Sequence, residues 1–397
     1  MAAIAIVSEY NPFHNGHLYQ IQKIRAQFPD PVIISVMSGS LVQRGEIALL
    51  SKYNRAKIAV TGGVDVVFEL PSVYSNAPAN IFAYSAVYIA EKLTGVDYIC
   101  FGSEAGDLAP LGFAAEKIMG EEFESKLRDK IKTNKAAGYP KNVYDLFCEL
   151  YGEKKAAVLN GSNNILAIEY LKALKKLNSG ITPITIKRTG ADYSAGASCI
   201  RESIDSPDIK NFMPGPAYEI FRGLINNGQY ADTRNIGAAV ISHINRLDAG
   251  QIAAIAEVSD IGEAHRIKKS LDGCFDYDAL ADRLNAKHNT SSSVRRMILN
   301  VFFGITKDMQ KSPPDFTVLL AMTEKGAAFL NGIKKRTGIA IVTKPAAVRA
   351  SQTFAKNLFI DNACKLALFN KTGEINEIKQ KPYIYLSDIS SKIAGFM

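Results

Sequence analysis

The sequence is poor in the residues that usually build metal sites and disulfide frameworks. Its 397 residues include no tryptophan, five histidines and five cysteines. The cysteines are scattered along the chain without a CxxC pair, at Cys100, Cys148, Cys199, Cys274 and Cys364. An odd, unclustered set argues against a disulfide framework and against a zinc site, so we predict no metal-binding side chains.

Long apolar runs are also absent. No stretch approaches the ~18 consecutive apolar residues that a membrane-spanning helix needs. The first residues, MAAIAIVSEYNPFH, lack the basic start of a signal peptide and run directly into a polar loop. We therefore expect a cytoplasmic protein whose first residues form a strand.

The composition that remains is that of a globular protein with an uneven charge. Hydrophobic residues make up 47% and charged residues 22%, and the length suggests two or three domains. Residues 1–200 carry 21 Lys+Arg against 19 Asp+Glu, a net charge of +2, and the remaining 197 carry 26 against 20, a net charge of +6. The basic second half favours a polyanionic partner such as RNA, although an ordinary solvated basic surface would have the same composition.

Strand and helix patterns alternate over the first hundred residues. Short apolar runs predict strands at 3–8, 31–37, 65–70 and 97–102. Helical periodicity separates them at 17–28, 51–61 and 79–93, with Ser51 as an N-cap. This order predicts an α/β fold, a doubly wound parallel sheet with helices on both faces. Further strands are expected at 181–187 and 316–322. The periodicity breaks at 205–215, so we predict a first domain at 1–210 and a mainly helical, basic C-terminal domain at 211–397.

Ligands of such sheets bind beyond the carboxyl ends of the strands. Segment 11–17, with the sequence NPFHNGH, follows the first strand directly. His14 and His17 lie three residues apart at a helix start, so they share one face. There they can donate hydrogen bonds to phosphate, together with the unpaired N–H groups of the helix, and Gly16 permits close approach of the backbone. The alternative is two surface histidines in a loop.

HNGH resembles the HxGH motif of the nucleotidyltransferase superfamily, which includes cytidylyltransferases and class I aminoacyl-tRNA synthetases. The resemblance implies that His14 and His17 stabilise charge on an α-phosphate while pyrophosphate leaves. A second superfamily element, Ile-Ser-Ser-Thr-x-Ile-Arg, is partly matched by AGASCIR at 195–201, with departures at Gly196 and Cys199. Arg201 is then a catalytic residue that clamps the β- and γ-phosphates, and Ser198 caps the following helix at the phosphates. A simple helix start is the alternative for Ser198.

Longer segments resemble one bacterial family, the tRNA(Met) cytidine acetate ligases. They are VSEYNPFHNGHLYQI, SGSLVQRGEIALLSKYNRAKIAVTGGVDVVFELP, FGSE, SNNILAIEYLKALKKL and IKRTG, in matching order over most of 1–205. KHNTSSSVRRMILNVFFGI and YIYLSDIS continue the resemblance more weakly. The family implies ATP, acetate and elongator tRNA(Met) as substrates, with Mg²⁺ accompanying the triphosphate. Acetate becomes acetyl-adenylate, and the acetyl group passes to N4 of the wobble cytidine.

The resemblance also implies a set of ATP contacts. They are Val7, Ser8, Glu9, Tyr10, Asn11, Pro12, Phe13, His14, Asn15, Gly16, His17, Leu18, Tyr19, Gln20, Gly102, one of Asn163 and Asn164, and Arg188. The chemistry of the last residues in this set is consistent with contacts to ATP. Gly102 ends a strand at a point where a side chain would collide with a nucleotide. The carboxamide of Asn163 or Asn164 can form hydrogen bonds with the edge of an adenine base. Arg188 supplies a planar, permanently charged guanidinium group. Asn163 and Asn164 can equally form a helix N-cap.

Other polar residues have open roles. Gln43, Arg44 and Lys52 follow the second strand and belong to a lid, an RNA contact or a solvated turn. Glu104 and Asp107 are candidates for ribose or magnesium, whereas Asp65 and Glu69 flank a buried strand and are expected to be structural. No catalytic arrangement is predicted for the remaining cysteines and histidines considered, which are Cys148, Cys199, His243, His265 and His288.

The basic half offers candidate RNA contacts and bears on the rival functions. We expect tRNA phosphates to contact the following residues: Arg283, Lys287, Arg295, Arg296 and the cluster 334–336. A small-molecule adenylyltransferase would share HNGH but would not need ~190 extra residues of net charge +6. A non-catalytic RNA-binding protein on this fold would not need intact His14, Gly16 and His17.

Overall fold

The structure is a computed structural model, and it describes residues 1–134, 137–188, 196–285, 290–344, 351–369 and 381–385. The residues outside this description include Lys287, His288, the whole segment 189–195 and the end of YIYLSDIS. Among the described residues, no helix combines the length and the hydropathy needed to cross a bilayer.

Ten strands are present in the described residues. They are β1 Ala3–Ser8, β2 Val32–Ser38, β3 Leu41–Val42, β4 Glu46–Ile47, β5 Val66–Leu70, β6 Tyr98–Ser103, β7 Thr182–Lys187, β8 Phe316–Thr323, β9 Ala340–Val342 and β10 Tyr383–Tyr385. Strands β3 and β4 form a small antiparallel hairpin. The others form one sheet in the order β10-β8-β5-β2-β1-β6-β7, with β9 beside β8.

Nineteen α-helices surround the sheet in the described part of the chain. They are α1 Asn15–Gln27, α2 Lys52–Thr61, α3 Ser72–Ser75, α4 Ala79–Leu93, α5 Leu108–Ile118, α6 Glu121–Thr133, α7 Tyr139–Tyr151, α8 Glu153–Ala156, α9 Ser162–Lys176, α10 Ala197–Glu202, α11 Gly215–Asn226, α12 Gly237–Arg246, α13 Ala249–Ala253, α14 Ile261–Ser270, α15 Tyr277–Leu284, α16 Ser291–Phe303, α17 Lys307–Lys311, α18 Glu324–Ile333 and α19 Gln352–Ala363.

The sheet is mostly parallel and buried on both faces. Strands β1, β2, β5, β6 and β7 run parallel, and every residue of β2 and β5 is buried. Alternate residues of β1 enter two different cores: Ala3 and Ala5 belong to one, and Ile4 and Ile6 to the other. This two-sided burial is why these strands have apolar rather than alternating sequences.

The predicted elements are largely confirmed, with one difference in topology. The first strand has the predicted bounds, and Ser51 caps α2 by accepting the N–H of Asn54. The strand expected at 316–322 is β8, and it pairs antiparallel with β5. Strands β8, β9 and β10 all come from beyond residue 210 yet extend the N-terminal sheet, so that segment is not helical throughout. The domain division at 210 stays a prediction.

The parallel strands give the sheet two distinct edges. We call the end formed by the last residues of β1, β2, β5, β6 and β7 the carboxyl edge (Ser8, Ser38, Leu70, Ser103 and Lys187). The end formed by their first residues is the amino edge (Ala3, Val32, Val66, Tyr98 and Thr182). The pairing of Ser8 with Met37 and of Ser103 with Lys187 brings the loops that follow these strands together at the carboxyl edge.

Candidate active site

The two motif histidines cap their own helix reciprocally. His14 is the N-cap of α1, and its Nδ1 accepts the Gly16 N–H at 3.0 Å. The Nδ1 of His17 accepts the His14 N–H at 3.1 Å. A ring nitrogen that accepts a hydrogen bond carries no proton, so each neutral ring bears its proton on Nε2. Both histidines therefore present an Nε2–H donor.

Burial keeps both rings neutral. Their centroids are 3.8 Å apart in a stacked arrangement. Burial, assisted by the charge of Arg188, lowers the pKa of His14 to about 4. Burial also holds the pKa of His17 well below its ordinary value, with His14 and Arg188 adding to the effect. A Cβ on Gly16 would come within 2.9 Å of His14 Cε1, so glycine there leaves the ring its position. The predicted shared face of the two histidines is confirmed as a stacked pair.

Several neighbours in segment 7–20 hold this loop in place. The side chain of Asn11 accepts the Leu49 N–H at 2.8 Å, and Gln20 donates to the carbonyl of Cys100 at 3.1 Å. The fully buried ring of Tyr10 packs at 4.9 Å from that of His17, and burial raises the pKa of Tyr10 to about 12. The contacts to Leu49 and Cys100 tie the loop to segments elsewhere in the chain.

The remaining residues of the segment have similar supporting positions. Ser8 shares a hydrogen bond with Ser35 at 2.8 Å, and Phe13 packs over Gly62, where a Cβ would meet its ring at 2.6 Å. Asn15 donates to the carbonyl of Asn211 at 2.9 Å. The others are buried or half-buried in the same loop and helix start: Val7, Pro12, Leu18 and Tyr19. Their assignment as ATP contacts stays a prediction.

Gly102, Arg188 and Asn163 form a second wall across the carboxyl edge. The Arg188 side chain crosses Gly102, where a Cβ would stand 3.2 Å from Arg188 Cγ. Arg188 Nη1 donates to Asn163 Oδ1 at 3.3 Å. The side-chain oxygen of Asn164 instead accepts the Ala105 N–H, and Asn164 is buried. Of the two asparagines, the geometry therefore favours Asn163 as the residue that faces the crevice.

Glu104 and Asp107 have capping roles. Both carboxylate oxygens of Glu104 accept N–H groups from the first turn of α9, contributed by Asn163 and Asn164. Burial opposes the ionisation of Glu104, but these hydrogen bonds outweigh it and lower its pKa. Asp107 is the N-cap of α5. Among the described residues, no group of three or more His, Cys, Asp or Glu side chains is arranged to hold a metal ion.

Arg201 and Ser198 lie beside the histidine loop. Arg201 Nη1 donates to the carbonyl of Asn11 at 2.8 Å. Its Nη2 lies 3.4 Å from Ser198 Oγ and 3.5 Å from a carboxylate oxygen of Glu46. Helix α10 is capped by Gly196, so the expectation that Ser198 caps this helix is wrong. The Ser198 hydroxyl instead accepts from the guanidinium of Arg44 at 2.9 Å.

Lys52 and Arg44 follow the same strand but have different surroundings. Lys52 is 3% exposed and forms ion pairs with Glu69 at 3.0 Å and Asp361 at 2.5 Å. All three roles considered for Lys52, in a lid, an RNA contact or a solvated turn, are therefore wrong. Arg44 is exposed on the β3–β4 hairpin. The structural roles expected of Glu69 and Asp65 are confirmed, since Asp65 accepts a backbone N–H of β2.

The basic residues of the second half differ in their availability to RNA. Arg296 is buried and forms a two-pronged ion pair with Glu257, both contacts at 2.8 Å, so its expected contact with tRNA phosphate is wrong. Arg295 pairs with Glu46 at 2.8 Å. Arg283 donates to the carbonyls of Ser270 and Gly273 but remains exposed.

The cluster 334–336 is exposed but distant from the histidines. The Gly338 N–H donates to the carbonyl of Lys92 at 2.7 Å. A Cβ on Gly95 would contact Ile333, the last residue of α18. Lys92 and Gly95 precede β6, so this cluster lies at the amino edge, whereas His14 and His17 lie at the carboxyl edge.

A mostly parallel sheet with a neutral histidine pair after its first strand defines the HxGH class of nucleotidyltransferases. The family model described as HIGH Nucleotidyl Transferase matches residues 1–380. A Caldanaerobacter subterraneus subsp. tengcongensis protein named tRNA(Met) cytidine acetate ligase is 34% identical over 388 residues, with 93% of this chain and 96% of that protein covered. A Clostridium botulinum protein of the same name is 34% identical, with 87% and 89% covered.

A solved structure agrees with these sequences. Thermotoga maritima TmcAL, crystallised with α-thio ATP, superposes with a TM-score of 0.89 at 28% identity, and the match covers 98% of this chain and all of that one. The chain belongs to the HIGH nucleotidyl transferase family and, within it, to the family of the tRNA(Met) cytidine acetate ligases.

Proposed function

We propose that the chain uses ATP to activate acetate and then acetylates N4 of the wobble cytidine of elongator tRNA(Met). The observation that carries the chemistry is the reciprocal capping of His14 and His17, which fixes two neutral Nε2–H donors at the carboxyl edge. The substrates are those in the names of the Caldanaerobacter and Clostridium relatives, and ATP use fits the α-thio ATP bound by the Thermotoga protein.

In the first step, a carboxylate oxygen of acetate bonds to the α-phosphorus. The bond from that phosphorus to the oxygen bridging to the β-phosphate breaks, and pyrophosphate leaves with the electron pair. The Nε2–H groups of His14 and His17 stabilise the charge that accumulates on the α-phosphate oxygens. Because neither ring is charged beforehand, they stabilise it as dipolar donors without transferring a proton. Arg188 and Arg201 hold phosphate oxygens on either side.

In the second step, the cytidine N4 attacks the acetyl carbonyl carbon. AMP leaves from that carbon, and N4 releases one proton to give N4-acetylcytidine. Acetyl-adenylate is needed because acetate alone has a poor leaving group, whereas AMP is a good one. The net charge of +6 on residues 201–397 supports tRNA as the acceptor. We place the reaction in the cytoplasm, where ATP and tRNA meet.

Magnesium belongs to the proposal only as a companion of the triphosphate. Glu104 and Asp107, the two carboxylates considered for it, are engaged in capping α9 and α5. Mg²⁺ commonly retains several waters and binds substrate phosphates, so the ion is expected to be held by phosphate oxygens and water. No step is assigned to it here.

The test combines exchange and labelling. Protein, ATP, radiolabelled acetate and total tRNA are incubated, and the tRNA is digested to nucleosides. Among the nucleosides we expect label in N4-acetylcytidine alone, and we expect ATP–pyrophosphate exchange that requires acetate. Exchange without acetate, supported by another small molecule, would indicate a small-molecule adenylyltransferase. No exchange with any acid, alongside intact tRNA binding, would indicate a non-catalytic RNA-binding protein.

A further inference from the structure

We propose that Arg44, on the β3–β4 hairpin, is a second phosphate-binding residue that holds the β/γ end of ATP together with Arg201. The proposal rests on the ATP use of the proposed function and extends it to a residue outside the HNGH and AGASCIR motifs. It gives the hairpin of residues 41–47 a role in binding substrate.

Two guanidinium groups converge on the hydroxyl of Ser198. Arg44 Nη1 donates to Ser198 Oγ at 2.9 Å, and Arg201 Nη2 lies 3.4 Å from the same oxygen. One hydroxyl is a poor match for two cations, whereas a phosphate group offers several charged acceptors. The two guanidinium groups and the Ser198 hydroxyl therefore bring several hydrogen-bond donors to one point, as an anion-binding site requires.

The two terminal nitrogens of the Arg201 guanidinium group are held differently. Its Nη1 makes a short hydrogen bond to the Asn11 carbonyl at 2.8 Å, which ties it to the histidine loop. Its Nη2 makes only long contacts, to Ser198 and to Glu46 at 3.5 Å. Glu46 also pairs with Arg295 at 2.8 Å, so its charge is shared between two arginines. A triphosphate can therefore displace Glu46 from Arg201 without leaving that carboxylate unpaired.

The β3–β4 hairpin is held in place by contacts with two other segments of the chain. Arg296 donates to the Gln43 carbonyl at 3.0 Å, and the Gln43 N–H donates to Glu9 at 2.7 Å. Gly45 has a φ of +78°, and a Cβ there would stand 2.4 Å from the backbone nitrogen of Arg296. Arg44 is thus presented by a turn locked between the loop after β1 and helix α16, so little ordering is left for the binding step.

Charge and the role proposed for Arg201 favour the leaving group rather than acetate as the occupant of this site. In an in-line displacement, the attacking oxygen and the leaving pyrophosphate lie on opposite sides of the α-phosphorus. Arg201, proposed above as a clamp for the β- and γ-phosphates, shares the Ser198 site with Arg44. The multiple charges of that end of ATP also match two guanidinium groups better than the single charge of acetate does.

The experiment measures nucleotide affinity in the absence of acetate and tRNA. Arg44→Ala is compared with wild type by isothermal titration with a non-hydrolysable ATP analogue and, separately, with AMP. We expect the analogue to bind about tenfold more weakly, the effect of losing a charge-assisted hydrogen bond at a partly solvated site, and AMP affinity to stay within about twofold. Arg44→Lys, which keeps the charge but not the fork, should lose less. Arg128→Ala, which removes another exposed arginine, on α6, is the control.

Three results would overturn the proposal. They are an unchanged affinity for the ATP analogue, an equal loss of affinity for the analogue and AMP, and an equal loss of analogue affinity in the Arg128→Ala control. Because the titrations contain neither acetate nor tRNA, they stand apart from the labelling experiment. Failure of wild-type protein to acetylate tRNA would refute the proposed function without deciding the role of Arg44.

Discussion

The two edges of the sheet both carry cations, but they use them differently. At the amino edge, the cluster 334–336 is exposed, and Lys325 pairs with the exposed Asp30. At the carboxyl edge, Arg44 and Arg201 converge on one hydroxyl beside two buried neutral histidines. The difference teaches that a count of positive charges alone does not locate a site. The convergence of several donors at one point is the more specific indication of an anion-binding site.

The largest expected effect is a loss of stability on replacing Lys52, a cation of the carboxyl edge to which we assign a purely structural role. Lys52→Met removes the only lysine seen between the buried carboxylates of Glu69 and Asp361 in the described residues. Breaking a buried ion pair by removing one partner costs about 3–5 kcal/mol, so the urea midpoint should fall sharply. Lys126→Met, which removes an exposed ion pair with Glu122 on α6, is the matched control. Equal midpoints for the two variants would contradict the structural role of Lys52.

The next largest effect is expected on pyrophosphate exchange when His14 or His17 is replaced. Asparagine places its amide near the position of Nδ1, so His14→Asn and His17→Asn can keep the capping acceptor while losing the Nε2–H donor. Each should lower pyrophosphate exchange by about 10²–10³, the usual cost of one such donor, with little change in melting temperature. The matched glutamine variants, whose amide reaches the Nε2 position, should retain more exchange. An asparagine variant with near wild-type exchange would remove that histidine from the chemistry.

Local sequence patterns predict the strands, the histidine motif and the helix cap of the carboxyl edge. NPFHNGH was identifiable because a buried strand, two histidines and a helix start are adjacent in sequence, and Ser51 was recognisable as a cap for the same reason. Lys52 and Arg44 could not be separated in that way. Their roles are set by Asp361, 309 residues from Lys52, and by Ser198, 154 residues from Arg44. The sequence does not reveal the ion pair of Arg296 because its partner Glu257 lies 39 residues away, in the turn region after α13. Nor does any local sequence pattern indicate that β8 joins the sheet antiparallel to β5.

A smaller effect concerns pH. Burial lowers the pKa of His14 from 6.5 to about 4, and that of His17 is also well below its ordinary value. Protons then bind the unfolded chain more tightly, so the stability contributed by the neutral rings is present above about pH 6.5 and declines as pH falls towards 4. Exchange should change less than about twofold between pH 6 and 8, while the urea midpoint should fall between pH 6.5 and 5. A rate limb near pH 6.5 that disappears in His14→Asn would show that a histidine titrates there.

The smallest expected effect is at the amino edge, where the structure places the cluster 334–336 that the sequence puts among the tRNA contacts. Because this edge is opposite the histidines, we do not expect the cluster to contact the anticodon stem–loop. Reversing the charges of Lys334, Lys335 and Arg336 should leave the acetylation of an anticodon stem–loop RNA within about twofold of wild type. The parallel strands of up to seven residues span roughly 20 Å, which separates this cluster from the carboxyl edge.

Lys210 provides the matched reversal at the other edge. It is exposed and adjoins Asn211, whose carbonyl accepts from Asn15 of the histidine motif. Lys210→Glu should weaken stem–loop binding and reduce the slope of log affinity against log salt by about 1, as the loss of one phosphate contact requires. Pyrophosphate exchange without RNA should be unchanged, since Lys210 is not assigned to ATP. If the triple variant instead changes the slope and Lys210→Glu does not, RNA is bound at the amino edge. The proposal that RNA binds at the carboxyl edge would then be wrong, whereas the proposed ATP site at that edge would be unaffected.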